Sequence, residues 1–241
     1  MIRITLFFSI FLFQHSLHAD KWPAKALDLS SWKLTLPTDS QRQGRADEIS
    51  TSNLQNFSHP EFFFTNKDAD GVIFHAPCGG KTTKGSKYPR SELREMTEGG
   101  KKRAAWSTDD DNLRMMTVKL AITHTPAKKK HVVCAQIHDK TDDVLMVRLE
   151  GKKLFIERNN LKEIPLNDNY QLGTPFEIKI QAGKGTIKLW FNGKQKLDWK
   201  KSSKGCYFKT GCYTQSNTDR GDAANAYGEV HIHRLVLKSN N

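Results

Sequence analysis

The sequence predicts one all-β domain, built as a sandwich, a jelly roll or a barrel. Short runs in which polar and apolar residues alternate with period two recur along the chain, and turn-forming residues separate them. Long helical periodicity is absent from the sequence. The 241 residues suffice for one large β-domain, which we place at residues 20–241.

The predicted strands are runs rich in β-branched and aromatic residues, bounded by glycine, aspartate and asparagine. Asp70-Gly71 marks one turn, and Asn192-Gly193 predicts a two-residue hairpin. Any helix is expected to be short, near residues 52–57. In chain order, the predicted strands are 32–36, 62–64, 72–75, 91–95, 113–122, 132–138, 144–150, 153–157, 176–181, 186–191, 196–199, 207–215 and 227–237.

Residues 1–19 have the pattern of a secretory signal peptide and are excluded from the predicted fold. Arg3 precedes an almost unbroken apolar run at residues 4–13, and Ala19 ends a cleavage-site pattern. This run is shorter than the roughly 20 residues that a membrane-spanning helix needs. We therefore expect a secreted protein, extracellular or periplasmic, that has no membrane segment in its mature form.

The chain is strongly basic, with 38 Lys and Arg against 26 Asp and Glu and a formal net charge of +12. In a secreted protein this charge predicts a polyanionic partner. Nucleic acid, acidic lipid headgroups and acidic polysaccharide all fit the charge. Because the sequence has no recognised nucleic-acid-binding motif, we do not expect nucleic acid to be the partner.

Four cysteines, Cys78, Cys134, Cys206 and Cys212, allow three complete disulfide pairings, and the sequence does not choose among them. One pair is disfavoured by distance. Cys206 and Cys212 lie six residues apart in one predicted strand, which separates them by about 20 Å. A disulfide needs Cα atoms within about 7 Å, so this pair requires a bend at Gly211.

Three motifs alternate in polarity so that their charged and polar side chains share one face of a strand. Leu93, Ile137 and Phe208 occupy the opposite, core-facing side of these motifs. If the three polar faces meet, they form a groove suited to binding an acidic sugar and moving a proton on it. The motifs are Arg90-Ser91-Glu92-Leu93-Arg94, Gln136-Ile137-His138 and Tyr207-Phe208-Lys209-Thr210-Gly211-Cys212-Tyr213-Thr214-Gln215.

In this order and at this spacing, the three motifs resemble the signature motifs of the alginate lyases of polysaccharide lyase family 7. The resemblance covers residues 29–237. It implies a β-jelly roll of two curved antiparallel sheets, with the substrate in the concave groove. It also implies an enzyme that cleaves alginate, a chain of mannuronate and guluronate, by β-elimination and without a cofactor. We expect a monomer.

The resemblance implies four catalytic residues. Arg90 and Gln136 neutralise the substrate carboxylate, because the C5 proton is not acidic while that group keeps its full charge. Tyr213 is expected to act as both base and acid on a syn-disposed sugar residue. His138 is expected to be the base where the geometry is anti. No metal is needed in this scheme, since Arg90 and Gln136 take the neutralising role.

Four further residues are expected to bind the substrate. In addition, Glu92 is expected to hold Arg90 or Arg94 in position. In the resembled family, Ile at the centre of the second motif accompanies acceptance of guluronate-containing chains, so Ile137 predicts a leaning towards such blocks. The four binding residues are Glu92, Arg94, Lys209 and Gln215.

Two positions depart from the family pattern. Thr210 stands where Ala is frequent, and it stays small on the core side. Asp139 stands where many relatives have Gly, and it is expected to alter the pKa of His138 or access to it. Elsewhere, His231 and His233 have metal-ligand spacing, but no third ligand is evident in the sequence, so a solvated strand face is expected.

Two rival functions remain open. One is a lyase acting on another polyuronate such as glucuronan, because the same residue types suit any 4-linked uronate. The other is a non-catalytic β-sandwich that binds acidic glycans. Such a module needs the Arg and Lys face but not His138 and Tyr213 together.

Overall fold

The strands pair into two antiparallel sheets in a computed structural model that describes residues 22–239. The expected signal peptide at residues 1–19 lies outside the described residues. Within them, no helix is both long and apolar enough to cross a membrane. Two short helices, α1 (Pro23–Ala26) and α2 (Thr51–Leu54), and a 3-10 turn at Thr218–Arg220 are the helical elements of this part of the chain.

The helix expected near residues 52–57 is α2, which begins after Ser50, whose hydroxyl accepts a hydrogen bond from the Asn53 amide. The strands in chain order are β1 (Trp32–Leu36), β2 (Asp47–Ile49), β3 (Phe63–Thr65), β4 (Val72–Pro77), β5 (Arg90–Thr97), β6 (Lys102–Arg103), β7 (Arg114–His124), β8 (His131–His138), β9 (Asp143–Glu150), β10 (Lys153–Glu157), β11 (Ile164–Asn167), β12 (Phe176–Gly183), β13 (Thr186–Phe191), β14 (Lys194–Lys200), β15 (Tyr207–Thr214) and β16 (Tyr227–Ser239).

The front sheet has the strand order β11-β10-β9-β8-β15-β5-β1-β2, and β6 pairs with β5. The back sheet has the order β14-β13-β12-β7-β16-β4-β3. In both sheets a late strand inserts between early ones, β15 between β8 and β5 and β16 between β7 and β4. This crossed connection of two antiparallel sheets is that of a jelly roll, and the predicted all-β jelly roll is confirmed.

The hydrophobic core lies between the two sheets, because each contributes alternate apolar residues to it. Leu93, Ile137 and Phe208 of the front sheet are fully buried, as are Val230 and Ile232 of the back sheet. The predicted hairpin at Asn192-Gly193 is also present, with φ of 47° and 77° at its two residues. Positive φ at both positions is characteristic of the type I′ turn that matches the strand twist.

All four cysteines are buried free thiols, so none of the three possible complete pairings is formed. Burial raises the pKa of Cys78 and of Cys206 to about 11, which keeps these thiols protonated and unreactive at neutral pH. The cysteines therefore act as small core residues.

Gly211 is the residue at which β15 departs from regular pairing. The strand keeps register with β5, but its pairing with β8 shifts between Thr210 and Tyr213. The backbone of Gly211 has φ of 135°, and a Cβ there would lie 2.7 Å from the Ser91 carbonyl oxygen. This β-bulge sets which way Tyr213 faces relative to β8, and it requires glycine.

We expect Gly211→Ala to destabilise the fold by about 3 kcal/mol or more, because it combines a backbone region open mainly to glycine with a backbone clash. Gly193→Ala is the matched control. It also has a positive φ, but no atom lies within 4 Å of the added Cβ, so we expect a cost of only about 1 kcal/mol. Urea unfolding of both variants measures the difference, and equal losses would contradict a special role for the bulge.

Candidate active site

Three adjacent strands, β5, β15 and β8, bring the polar faces of the three motifs together. Lys209 of β15 pairs with Arg94 on one side and Gln136 on the other. Along the same strand, Tyr207 pairs with His138 and Tyr213 pairs with Arg90. The alternation of the strands points these side chains away from the core, so the register assembles one polar surface from segments far apart in the sequence.

This surface lines an open cavity of about 650 Å³. Further lining residues come from β1, from the segment that precedes β5, and from the turn between β8 and β9. Of the eight residues that the sequence suggested, six line this cavity: Arg90, Arg94, Gln136, His138, Lys209 and Tyr213.

Glu92 lies directly beneath the cavity and is 2% exposed. Its carboxylate accepts hydrogen bonds from Arg90 Nη1, at 2.9 Å, from Gln136 Nε2 and from Lys209 Nζ. Burial alone would raise the pKa of Glu92, but Lys209 and Arg90 outweigh that effect and lower it. Glu92 is therefore an ionised anchor for three cavity residues. The sequence-based expectation named only Arg90 or Arg94 as its partner.

Lys209 is buried, and its pKa is lower than that of an exposed lysine. Burial is the main cause and the neighbouring Arg90 adds to it, and together they lower the pKa of Lys209 to about 8, although Glu92 acts in the opposite direction. The ammonium group is thus mostly charged at neutral pH and loses its charge in mildly alkaline solution.

Tyr213 is held between a cation and a hydroxyl group. The Arg90 guanidinium carbon lies 3.9 Å from the centroid of the Tyr213 ring. Ser86 Oγ lies 3.3 Å from the phenolic oxygen and accepts a 2.9 Å hydrogen bond from Arg90 Nη2. These contacts fix the phenol at the cavity and place positive charge beside it. Ser86 is part of the site that sequence reasoning missed, because the loop that carries it has no strand pattern.

His138 presents one free nitrogen to its surroundings. Its Nδ1 lies 2.7 Å from the carbonyl oxygen of Asp139, and since a carbonyl only accepts, Nδ1 carries the proton. The other nitrogen, Nε2, then has the lone pair that a base requires. Burial lowers the pKa of His138, and Lys209 and Arg90 add to this shift, so the ring is neutral at neutral pH. The ring stacks on Tyr207 at 5.3 Å.

Asp139 influences His138 through its backbone. The Asp139 carboxylate turns away and accepts hydrogen bonds from the amides of Thr141 and Asp142 and from Ser203 Oγ, which ties the β8–β9 turn together. The expected effect of Asp139 on the pKa of His138 comes through its carbonyl oxygen, which raises that pKa against the effect of burial. Asp139 also lines the cavity, so its effect on access stays a prediction.

Arg94 and Gln215 differ from the expectations in their surroundings. Arg94 does not pair with Glu92. Its guanidinium carbon lies 3.8 Å from the centroid of the Tyr207 ring, and the residue remains at the cavity. Gln215 follows the end of β15, and its amide lies 3.8 Å from Met146 Sδ, outside the cavity lining. Met146 pairs with the cavity residue Gln136, so Gln215 lies on the same face of the front sheet, and its role in substrate binding stays a prediction.

The described residues contain one cluster of side chains with metal-ligand chemistry, Asp70 with His231 and His233, on the back sheet. The expectation that no third ligand accompanies the two histidines is therefore wrong. Asp70 was not predicted as a third ligand, because strand pairing and not closeness in sequence brings it to the two histidines. The front cavity has no such cluster within residues 22–239, and its polar equipment consists of cations, amides, a phenol and an imidazole.

The family profile and the similar solved structures all indicate the same family. The sequence profile of a family described as alginate lyase matches residues 27–239. A solved structure, the alginate lyase AlgAT5 from polysaccharide lyase family 7, superposes with a TM-score of 0.87 at 49% identity, covering 91% of this chain and 99% of that one. An alginate lyase from Corynebacterium sp. superposes with a TM-score of 0.86 at 40% identity, covering 91% of this chain and 98% of that one.

A curated alginate lyase of Klebsiella pneumoniae is 44% identical over 79 residues. The match covers 32% of this chain and 26% of that protein, so the chain spans about a quarter of the length of this relative.

Proposed function

The chain belongs to the alginate lyase family, polysaccharide lyase family 7, and from this premise we propose that it cleaves alginate by β-elimination and leaves a 4,5-unsaturated uronate at the new chain end. The observation that carries the proposal is the convergence of Arg90, Gln136, His138 and Tyr213 on one open cavity. These four residues supply a carboxylate neutraliser, a base and an acid, which are the functions that elimination next to a carboxylate requires.

The charge of the site supports a polyuronate substrate. Arg90, Arg94 and Lys209 line the cavity around the proposed catalytic residues, with Glu92 beneath them. Over the whole lining, six Lys and Arg side chains stand against four carboxylates. Each sugar residue of alginate brings one carboxylate. The cavity is open, so an extended chain has access to it.

Arg90 and Gln136 are positioned to neutralise the carboxylate of the sugar that is cleaved. Both donate one hydrogen bond to Glu92, and both keep further N–H groups for a ligand. Removal of the C5 proton spreads negative charge onto the substrate carboxylate, and donors held rigidly at that point stabilise the charge more than mobile water does. Because Glu92 fixes these donors, we propose that the reaction proceeds without a metal.

Tyr213 is the proposed proton carrier. The Arg90 guanidinium over its ring and Ser86 Oγ at its hydroxyl hold the phenolic oxygen at the cavity, where Tyr213 in its phenolate form takes the C5 proton. Once protonated, it can deliver that proton to the leaving glycosidic oxygen, as the syn geometry requires. His138 is the proposed base for the anti geometry, with Nε2 as the accepting atom.

We also propose a leaning towards guluronate-containing blocks, which rests on Ile137. The Ile137 side chain is fully buried on the core face, between the cavity residues Gln136 and His138. It therefore acts on substrate choice through the position of the strand that carries its neighbours, without touching the sugar.

Residues 1–19 are proposed to direct export and then to be removed. Expression in a secreting host should yield an exported protein whose N-terminal sequence starts at Asp20. An exported protein that still begins at Met1 would contradict removal.

The elimination itself is testable by ultraviolet absorbance, because an unsaturated uronate conjugated to its carboxylate absorbs where the substrate does not. We expect a rise with polyguluronate and polymannuronate, faster with polyguluronate, and none with glucuronan. Tyr213→Phe should lower the rate by about 10³-fold, since it removes only the proton-transferring hydroxyl. His138→Ala should lower the rate on the block that reacts in the anti geometry.

Matched controls are Tyr88→Phe and His131→Ala. The Tyr88 ring lies 6.3 Å from that of Tyr213, and His131 begins the strand that ends at His138; neither lines the cavity. Both controls should keep the wild-type rate. Absence of any rise from wild-type protein that still binds alginate would favour the non-catalytic glycan-binding module, and a faster rise with glucuronan would reassign the substrate.

Lys209 should make substrate binding depend on pH. Tyr213→Phe is the background of choice, because it holds alginate without consuming it. As the pH rises through about 8, Lys209 loses its charge, and we expect the affinity for an alginate oligosaccharide to fall about tenfold between pH 7 and pH 9. Isothermal titration calorimetry measures this affinity at each pH. Adding Lys209→Met should lower the affinity at pH 7 to about the value that the parent shows at pH 9 and so remove the step, whereas adding Lys140→Met at the cavity edge should keep it.

Titration of Lys209 changes stability in the opposite direction, so a loss of binding at high pH would not come from unfolding through this residue. The pKa of Lys209 is lower in the folded chain than its ordinary value of 10.5, so the unfolded chain binds more protons between about pH 8 and 10.5. The contribution of Lys209 to stability therefore rises with pH in this window while its contribution to binding falls. A constant affinity from pH 7 to pH 9 would contradict a role for its charge.

A further inference from the structure

Three side chains with metal-ligand chemistry meet on the outer face of the back sheet, away from the front cavity. Val230 and Ile232 of β16 face the core, so His231 and His233 project from the opposite side. Asp70, in the turn between β3 and β4, reaches the same place. The candidate ligand atoms of the three residues all lie within 4.8 Å of one another.

The spacing of the three groups suits an ion rather than direct hydrogen bonds. His231 Nε2 and His233 Nδ1 each lie 4.0 Å from Asp70 Oδ1, which is too long for a hydrogen bond. His231 Nε2 is buried and has no hydrogen-bond partner. A buried, unpartnered ring nitrogen is costly, and a metal ion between these groups would remove that cost.

The turn that carries Asp70 brings its carboxylate close to the two histidines. The Asn66 side chain donates a 2.6 Å hydrogen bond to Asp70 Oδ1 and accepts one from the Asp70 amide at 3.0 Å, which orients the carboxylate. Next in the chain is Gly71, where an added Cβ would lie 2.4 Å from His231 Nε2. Only glycine allows the turn to come this close to the histidine, and the amide of Asn66 acts like the outer-shell partners that orient metal ligands.

We propose that Asp70, His231 and His233 form a binding site for a divalent transition-metal ion of the zinc type. Two imidazoles and one carboxylate are the donor set that zinc accepts, with water in the fourth position, whereas calcium and magnesium prefer oxygen donors throughout. A tetrahedral ion holds its ligand atoms about 3.3 Å apart. The three candidate ligand atoms lie within 4.8 Å of one another, so they need to approach by at most about 1.5 Å. The Asp70 carboxylate is exposed, so it has room to move together with the Asn66 amide that orients it.

The bound ion would link β16 to the turn that precedes β4. These two strands already pair, with His231 opposite Ile73. The ion therefore acts as a clip within the back sheet, and its effect falls on stability rather than on catalysis.

Thermal unfolding of the purified protein, first stripped with a chelator, tests the site. We expect zinc in roughly 100-fold excess over its dissociation constant to raise the melting temperature by about 5 °C or more. Magnesium and calcium at equal concentration should not raise it. Cobalt in place of zinc should give the visible absorption of a low-coordinate site.

The double variant His231→Gln with His233→Gln should lose the zinc-dependent shift, and Asp70→Asn should reduce it. Asp70 is exposed, so the second variant stays informative if the first one fails to fold. His75→Gln is the matched control on the same sheet, because His75 pairs with Glu229 outside the cluster. Each shift is measured against the metal-free melting temperature of the same variant. A shift that survives in Asp70→Asn and in the double variant, or no shift in the wild type, would overturn the site.

Discussion

The arrangement of the front cavity depends on one buried carboxylate, that of Glu92. It accepts hydrogen bonds from Arg90 on its own strand, from Lys209 on the next and from Gln136 on the one beyond. Without it, two buried cations would face each other unpaired, and losing one partner of a buried ion pair costs about 3–5 kcal/mol. Glu92 therefore converts three flexible donors from three strands into a fixed surface.

The same carboxylate sets the electrostatics of the reaction that we propose. If Glu92 were absent, Lys209 would lose its charge more readily or move away from Arg90, and the cavity would lose the rigid donors that stabilise charge on the substrate. With Glu92 present, Lys209 stays mostly charged at neutral pH in spite of its burial. The anion beneath the cavity thus allows the cations above it to meet a polyanionic chain.

Strand alternation made much of this arrangement predictable from the sequence. Phe208 and Cys212 face the core while Lys209 and Tyr213 face the cavity, as the period-two pattern indicates. Pairing partners were not predictable, because the order β8-β15-β5 joins segments separated by long stretches of chain. Ser86 approaches Tyr213 from a loop that has no strand pattern, so it left no signal in the sequence.

Register has the same importance on the back sheet. The spacing of His231 and His233 is visible in the sequence, but the third group, Asp70, comes beside them only because β16 pairs with β4 in one particular register. A shift of one residue turns alternate side chains to the other face of a sheet, so it would bury the histidines and expose Val230 and Ile232. Burial of those two residues in the core excludes the shifted pairing, and the hydrophobic core thereby fixes the surface chemistry of both sheets.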